Sequence, residues 1–200
     1  MITRRSLLGF AATSLALGAL ARPASAVQLN TSAQIYLMRG LANVFSFGMD
    51  EIGERLRVNG FRPVVANWRA APTSAGTIAD TYLRGQRAPI VLVGHSLGAN
   101  AVMEMGHTLA RRNVPIAYMA TLDATQQSTV PGNVREFVNF FQRNGFGQPM
   151  NRPANFRGTM INIDLTDRQY IRHKNMDQRE LIQEIIVGKV WQITACPRAC

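Results

Sequence analysis

The run Pro89-Ile90-Val91-Leu92-Val93 ends directly on Gly94-His95-Ser96-Leu97-Gly98, and an Ala- and Met-rich helical pattern follows over residues 97–112. An unbroken apolar strand belongs in a parallel sheet covered on both faces, because each of its side chains needs a buried neighbour. A strand that passes into a helix within five residues turns so sharply that the residue at the apex is strained. Gly94 and Gly98 remove the Cβ atoms that would clash across that turn. Ser96 is thereby held clear of the strand's carboxyl end, at a helix start whose dipole favours negative charge. It is the candidate nucleophile.

The remaining elements alternate in the same way. Residues 34–38 form a β-rich run that ends at Arg39-Gly40. Residues 50–59 place Ile52 and Leu56 on one helical face and Arg55 and Arg57 on the other, and Gly60 ends the helix. Residues 63–67 are a second strand, and 77–84 a short helix closed by Gly85. Residues 116–120 are a fourth strand, leaving through Leu122-Asp123, and 135–141 a fifth on their aromatic and β-branched content. Residues 158–163 are the last strand, and 175–187 a final amphipathic helix. This order predicts an α/β three-layer sandwich with a mostly parallel sheet of about six strands. With 200 residues, of which 46% are hydrophobic and 17% charged, the chain can bury one core of ordinary size, and disordered or low-complexity classes are excluded. No linker or repeat divides residues 27–200, which read as a single domain.

On Gly94-His95-Ser96-Leu97-Gly98-Ala99, on Met38-Arg39-Gly40-Leu41 after the first strand, and on a histidine after the last strand, the chain resembles the α/β-hydrolase family, in particular its small lipase- or esterase-like members. The resemblance spans essentially the whole of residues 27–200. It implies a serine, an acid and a histidine in that chain order, each at the carboxyl end of a strand, in a minimal version of the fold. Only residues 124–135 separate the fourth and fifth strands, which leaves no room for a lid domain and implies a shallow, open site.

A hydroxyl near neutral pH needs an adjacent base. The chain has three histidines, His95, His107 and His173. His95 is locked beside Ser96 with its side chain expected to point away, and His107 lies at the far end of the helix; both read as packing or surface residues. His173 matches the family's histidine position. Three acids follow strand ends, Asp123, Asp164 and Asp167. The family order favours Asp123, with Asp164 as the alternative. The family more often takes its acid one strand later, but the exit Gln142-Arg143-Asn144-Gly145 carries none. The resemblance further implies an oxyanion hole from the backbone N–H groups of Leu97 and Leu41. Arg39 stands where larger members often have a histidine. Phe45 and Phe47 are candidates for an apolar wall near the acyl group.

The expected activity is that of a serine hydrolase on carboxylic esters of short to medium acyl chain, with thioesters and polyesters open to the same chemistry. The expectation from another class is a catalytically silent binding or envelope protein on the same fold. No metal or other cofactor is implied. Lysine and arginine total 22 against 12 acids, a net charge of +10. No aromatic-interleaved basic stripe points to nucleic acid, so the charge reads as a solvated basic face open to transient contact with anionic membrane surfaces. The substrate is expected to be a small-molecule or lipid ester, and the protein a monomer.

Residues 1–26 read as a signal segment. Arg4-Arg5 precede an apolar run of about 15 residues, short of the ~20 that span a bilayer, and Ala24-Ser25-Ala26 is a cleavage site of the A-x-A type. Thr3-Arg4-Arg5-Ser6-Leu7-Leu8 resembles a bacterial twin-arginine signal. Cleavage would leave +7 on a periplasmic or secreted protein starting at Val27. Cys196 and Cys200 would there form a disulfide that ties down the tail.

Overall fold

The computed structural model describes residues 28–41 and 47–196. The elements run β1 (Gln28–Leu29), β2 (Gln34–Arg39), α1 (Phe47–Arg57), β3 (Val64–Asn67), α2 (Ala71–Leu83), β4 (Ile90–His95), α3 (Leu97–Arg111), β5 (Tyr118–Leu122), β6 (Glu136–Phe141), β7 (Thr159–Asp164), α4 (Glu180–Thr194) and β8 (Ala195–Cys196). Six strands form one sheet in the order β3-β2-β4-β5-β6-β7, and every pairing in it is parallel. All six carboxyl ends therefore open on the same edge.

Alternation along the strands divides the interior into two cores. Ile35, Leu37, Val91, Val93, Ala120 and Leu122 face α1 and α4, where they meet Met49, Ile52, Leu56, Ile182, Ile186 and Val190. Tyr36, Met38, Ile90, Leu92 and Met119 face the other way, against Ala75 and Ile78 of α2 and Val102, Met105 and Leu109 of α3. The result is the three-layer α/β sandwich expected from the sequence. β4 lies inside the sheet with all six residues buried, as its unbroken apolar run requires.

The boundaries differ from expectation where tertiary pairing or local chemistry overrides pattern. The fourth strand is displaced by two residues, because Val91–His95 of β4 pair with 118–122 and carry β5 on to Leu122. Ile116 makes only an isolated bridge to Val134. α2 begins six residues earlier than its pattern, since Pro72 falls in the first turn, where its missing N–H has no helical partner to lose. Residues 173–178 form a 3-10 turn rather than the start of the last helix, which then runs through Gly188 to Thr194 on the buried side chains of Val190 and Thr194. A two-stranded antiparallel ribbon, β1 with β8, stands apart from the main sheet and had no sequence signal. Residues 1–26, expected to be a signal segment, and Cys200 lie outside the described residues. Among those described, no helix is long and apolar enough to cross a membrane.

Candidate active site

The site is assembled at the carboxyl edge of the sheet. β4 hands over to α3 through Ser96, which has φ 58° and ψ −123°, a backbone conformation that L side chains rarely adopt. The turn tolerates it because of its glycines. A Cβ on Gly94 would come within 2.1 Å of the Gly98 carbonyl oxygen, and one on Gly98 within 2.0 Å of the Met38 carbonyl oxygen. The second contact also packs the start of α3 directly on the end of β2. Asp123 follows β5, with φ 46° and a fully buried side chain, held in place by its own N–H to the Phe140 carbonyl (2.7 Å). His173 opens the 3-10 turn beyond β7.

These three side chains form one hydrogen-bonded line. His173 Nδ1 lies 2.6 Å from Asp123 Oδ2, and His173 Nε2 lies 2.9 Å from Ser96 Oγ. A carboxylate only accepts, so Nδ1 carries the proton and donates to it. Nε2 then presents its lone pair to the serine hydroxyl, the arrangement a base needs. Asp123 Oδ1 accepts the Gln142 N–H at 3.1 Å. Asp164 is placed elsewhere. It pairs with Arg143 at 2.8 Å and accepts from the Thr166 N–H and hydroxyl, which hold its carboxyl below the ordinary range.

Three supporting residues were given no role in the site by the sequence. Gln142 occupies the strand exit where the resemblance looked for an acid. It is buried, and its side-chain amide donates to the carbonyls of Leu165 (2.9 Å) and Ile171 (3.1 Å), tying the segment that leads to His173 back to β6. His95, expected to point away as a bland packing residue, is buried beneath His173, the rings 5.1 Å apart. Its Nε2–H donates to the His173 carbonyl oxygen at 2.7 Å. Burial lowers the His95 pKa to about 4, helped by charge on His173, so the ring is neutral. Its Nδ1 faces Asp177 Oδ2 at 3.8 Å. Asp177 is also fully buried, and burial raises its pKa to about 7. Only the complete fold brings these residues together; the one local signal was a histidine inside the serine turn.

A cavity of about 450 Å³ opens over Ser96, walled by Leu41, Leu97, Thr125, Phe146, His173 and Lys174. Its surface is predominantly apolar. Phe146, itself 60% exposed, stands edge-on to the His173 ring at 4.8 Å. Of the two phenylalanines expected here, Phe47 is the first residue of α1 and does not line this cavity, because the helix begins three residues earlier than its pattern and carries the side chain out to 54% exposure. Phe45 lies outside the described residues. Leu41 follows β2 at a turn and reaches the cavity rim, and Leu97 is the first residue of α3. A first-turn N–H has no partner within its own helix, so the Leu97 donor is available to an anion. Arg39 is engaged sideways: its Nε donates to Asp50 Oδ2 in the first turn of α1 at 2.8 Å, and its Nη2 donates to Asp50 Oδ1. No cluster of three or more His, Cys, Asp or Glu able to hold a metal occurs among the described residues.

The chain matches no protein-family model and no curated protein. Among solved structures it is similar to a pyrethroid hydrolase, PytH, at 16% identity and a TM-score of 0.32, over 48% of this chain and 42% of that one. It is also similar to a 3-dehydroquinate dehydratase-like protein from Bifidobacterium longum, at 9% identity and a TM-score of 0.32, over 79% of this chain and 98% of that one. The chain thus spans less than half the length of the pyrethroid hydrolase it matches.

Proposed function

We propose that this chain is an exported serine hydrolase of the α/β-hydrolase type, cleaving carboxylic esters through an acyl-enzyme intermediate. The observation that carries the reading is the unbroken hydrogen-bonded line from Ser96 through His173 to Asp123. In the first step Ser96 Oγ bonds to the ester carbonyl carbon while His173 Nε2 takes the hydroxyl proton. The resulting imidazolium is stabilised by the buried Asp123 carboxylate. The carbonyl oxygen becomes an oxyanion, and the N–H groups of Leu97 and Leu41 are its proposed donors. The bond to the alcohol oxygen then breaks, and that oxygen leaves with the proton from Nε2. Water, deprotonated by the same nitrogen, releases the acid and regenerates the serine. The apolar walls Leu41, Leu97 and Phe146 suit a hydrocarbon acyl group of short to medium length.

A fluorophosphonate probe tests the reading. It should label the native protein at one site and leave Ser96→Ala unlabelled. The native protein should also turn over p-nitrophenyl esters, with a preference among graded acyl lengths. A well-folded native protein that takes no label would replace this reading with that of a silent binding protein. Export is tested separately: the protein from its host should begin near Val27, and an intact Met1 would refute cleavage.

A further inference from the structure

The chemistry fixes which side of Ser96 the departing alcohol occupies. Its oxygen must receive the proton from His173 Nε2, so the alcohol lies on the histidine side, which leaves the leucine-walled part of the cavity over Ser96 to the acyl group. On the histidine side a second cavity, of about 740 Å³, opens against the first, with Phe146, His173 and Lys174 as shared walls. Its character is different. Gln142, Asn144 and Arg172 line it in place of the leucines, and no acidic side chain lines either cavity among the described residues.

Both chain neighbours of His173, Arg172 and Lys174, are exposed cations on this wall. Arg143, from the same loop as Phe146, is already matched by Asp164 at 2.8 Å, and the buried Asp123 carboxylate is taken up by His173 and the Gln142 N–H. Two cations at the rim of a cleft raise the local concentration of anions and of no neutral alcohol. An arginine guanidinium also fits phosphate and carboxylate oxygens in pairs.

We propose that this second cavity is a subsite for an anionic leaving group. The preferred substrates are then esters joining a short to medium acyl chain to an alcohol that bears a phosphate or carboxylate, with Arg172 and Lys174 as the specificity-determining residues. This rests on the roles given above to Ser96 and His173. The reaction is unchanged: the acyl carbon–oxygen bond breaks, the serine takes the acyl group, and the anionic alcohol departs protonated at its former ester oxygen.

The test compares the octanoyl ester of glycerol with the octanoyl ester of glycerol 3-phosphate, both as monomers in solution, so that attraction to a lipid surface contributes nothing. At low ionic strength the native protein should favour the phosphate ester in kcat/KM by about tenfold, and the ratio should fall toward one in about 0.5 M salt. Arg172→Gln combined with Lys174→Gln should bring the ratio to about one. Lys174→Glu should invert it. Arg111→Gln, at the far end of α3, should leave the ratio as it is. A ratio at or below one in the native protein, or a preference that survives the double substitution, overturns the subsite. So does a preference that appears only when the substrates are carried on anionic vesicles, which would assign the charge to membrane contact instead. Failure to label with the fluorophosphonate and to cleave either ester sinks the underlying reading as well. Normal labelling with equal rates, or with no turnover of the phosphate ester, sinks this proposal alone.

Discussion

Replacing Asp177 by asparagine should make the protein's stability less sensitive to alkali. The Asp177 side chain has no solvent exposure, and burial raises its pKa from 3.8 to about 7. The charge of Glu51 adds to the rise, while the N–H groups of Asp177 itself, Gly48 and Met49 offset part of it. Between these two values the folded protein keeps a proton that the unfolded chain has released. Stability therefore falls as pH rises through that window, and the full loss is reached once the folded group ionises. From pH 5 to 7 that is two pH decades at about 1.4 kcal/mol each, or about 3 kcal/mol. Asparagine has the same shape and no ionisation, so this slope should vanish in the variant. His95 contributes the opposite slope, since its pKa is lowered to about 4 and its stabilisation is lost as pH falls through the range below 6.5. His95 stands only 3.8 Å from Asp177, but its slope ends near pH 6.5, so the part of the difference above that pH belongs to Asp177 alone. Urea denaturation at pH 5 and at pH 8.5 measures the change directly. The variant should gain about 3 kcal/mol on the native protein between the two. Parallel pH profiles would mean that Asp177 is already ionised at pH 5, and the burial argument would be wrong.

Three further outcomes follow from the site. Asp123→Asn should lower kcat on a p-nitrophenyl ester by about 10³- to 10⁴-fold with the fold intact, whereas Asp164→Asn should cost about tenfold or less; the reverse ranking would reassign the acid. His95→Phe removes the side-chain donor that holds the His173 carbonyl, so kcat should fall about tenfold with KM little changed; an equal rise in KM would instead mean a damaged cavity. Gly98→Ala drives a methyl group into the Met38 carbonyl oxygen and should destabilise the fold by about 3 kcal/mol in denaturant, while Gly76→Ala, where nothing lies within 4 Å, should not; equal stabilities would show that the turn relaxes freely.

How much of this was legible depended on how local each signal was. The serine turn announces itself within ten residues, as an apolar run, two glycines and a helix. His173 was expected from the family's histidine position and Asp123 from the family's order of serine, acid and histidine, and the fold brings both side chains to Ser96. The parallel sheet of about six strands and its two-sided packing also followed from local alternation, whereas the order β3-β2-β4-β5-β6-β7 did not. What remained hidden depends on residues distant in sequence. Gln142 carries no motif, and its bracing of the segment before His173 exists only because β6 and β7 lie side by side. The meeting of His95 with Asp177 spans α1, the serine turn and the last 3-10 turn. Phe146 sits in a stretch of Asn, Gly and Gln that reads as a plain surface loop, yet it walls the cavity. Phe47 was misplaced because the helix begins three residues before its polar and apolar faces separate.

The contact of Gly98 with the end of β2 has a bearing on how such a site can change over generations. The serine turn and the end of β2 are fixed to one another through main-chain atoms, with no side chain between them whose replacement would allow gradual adjustment. A mutation there has two outcomes, retention or loss. Leu41, Phe146 and Lys174 instead line the cavity from connecting segments, where a change of size or charge leaves the sheet untouched. Descendants of this chain would be expected to drift freely in what this cavity accepts while keeping the serine turn, so diversity would accumulate in three short connecting segments and almost nowhere else.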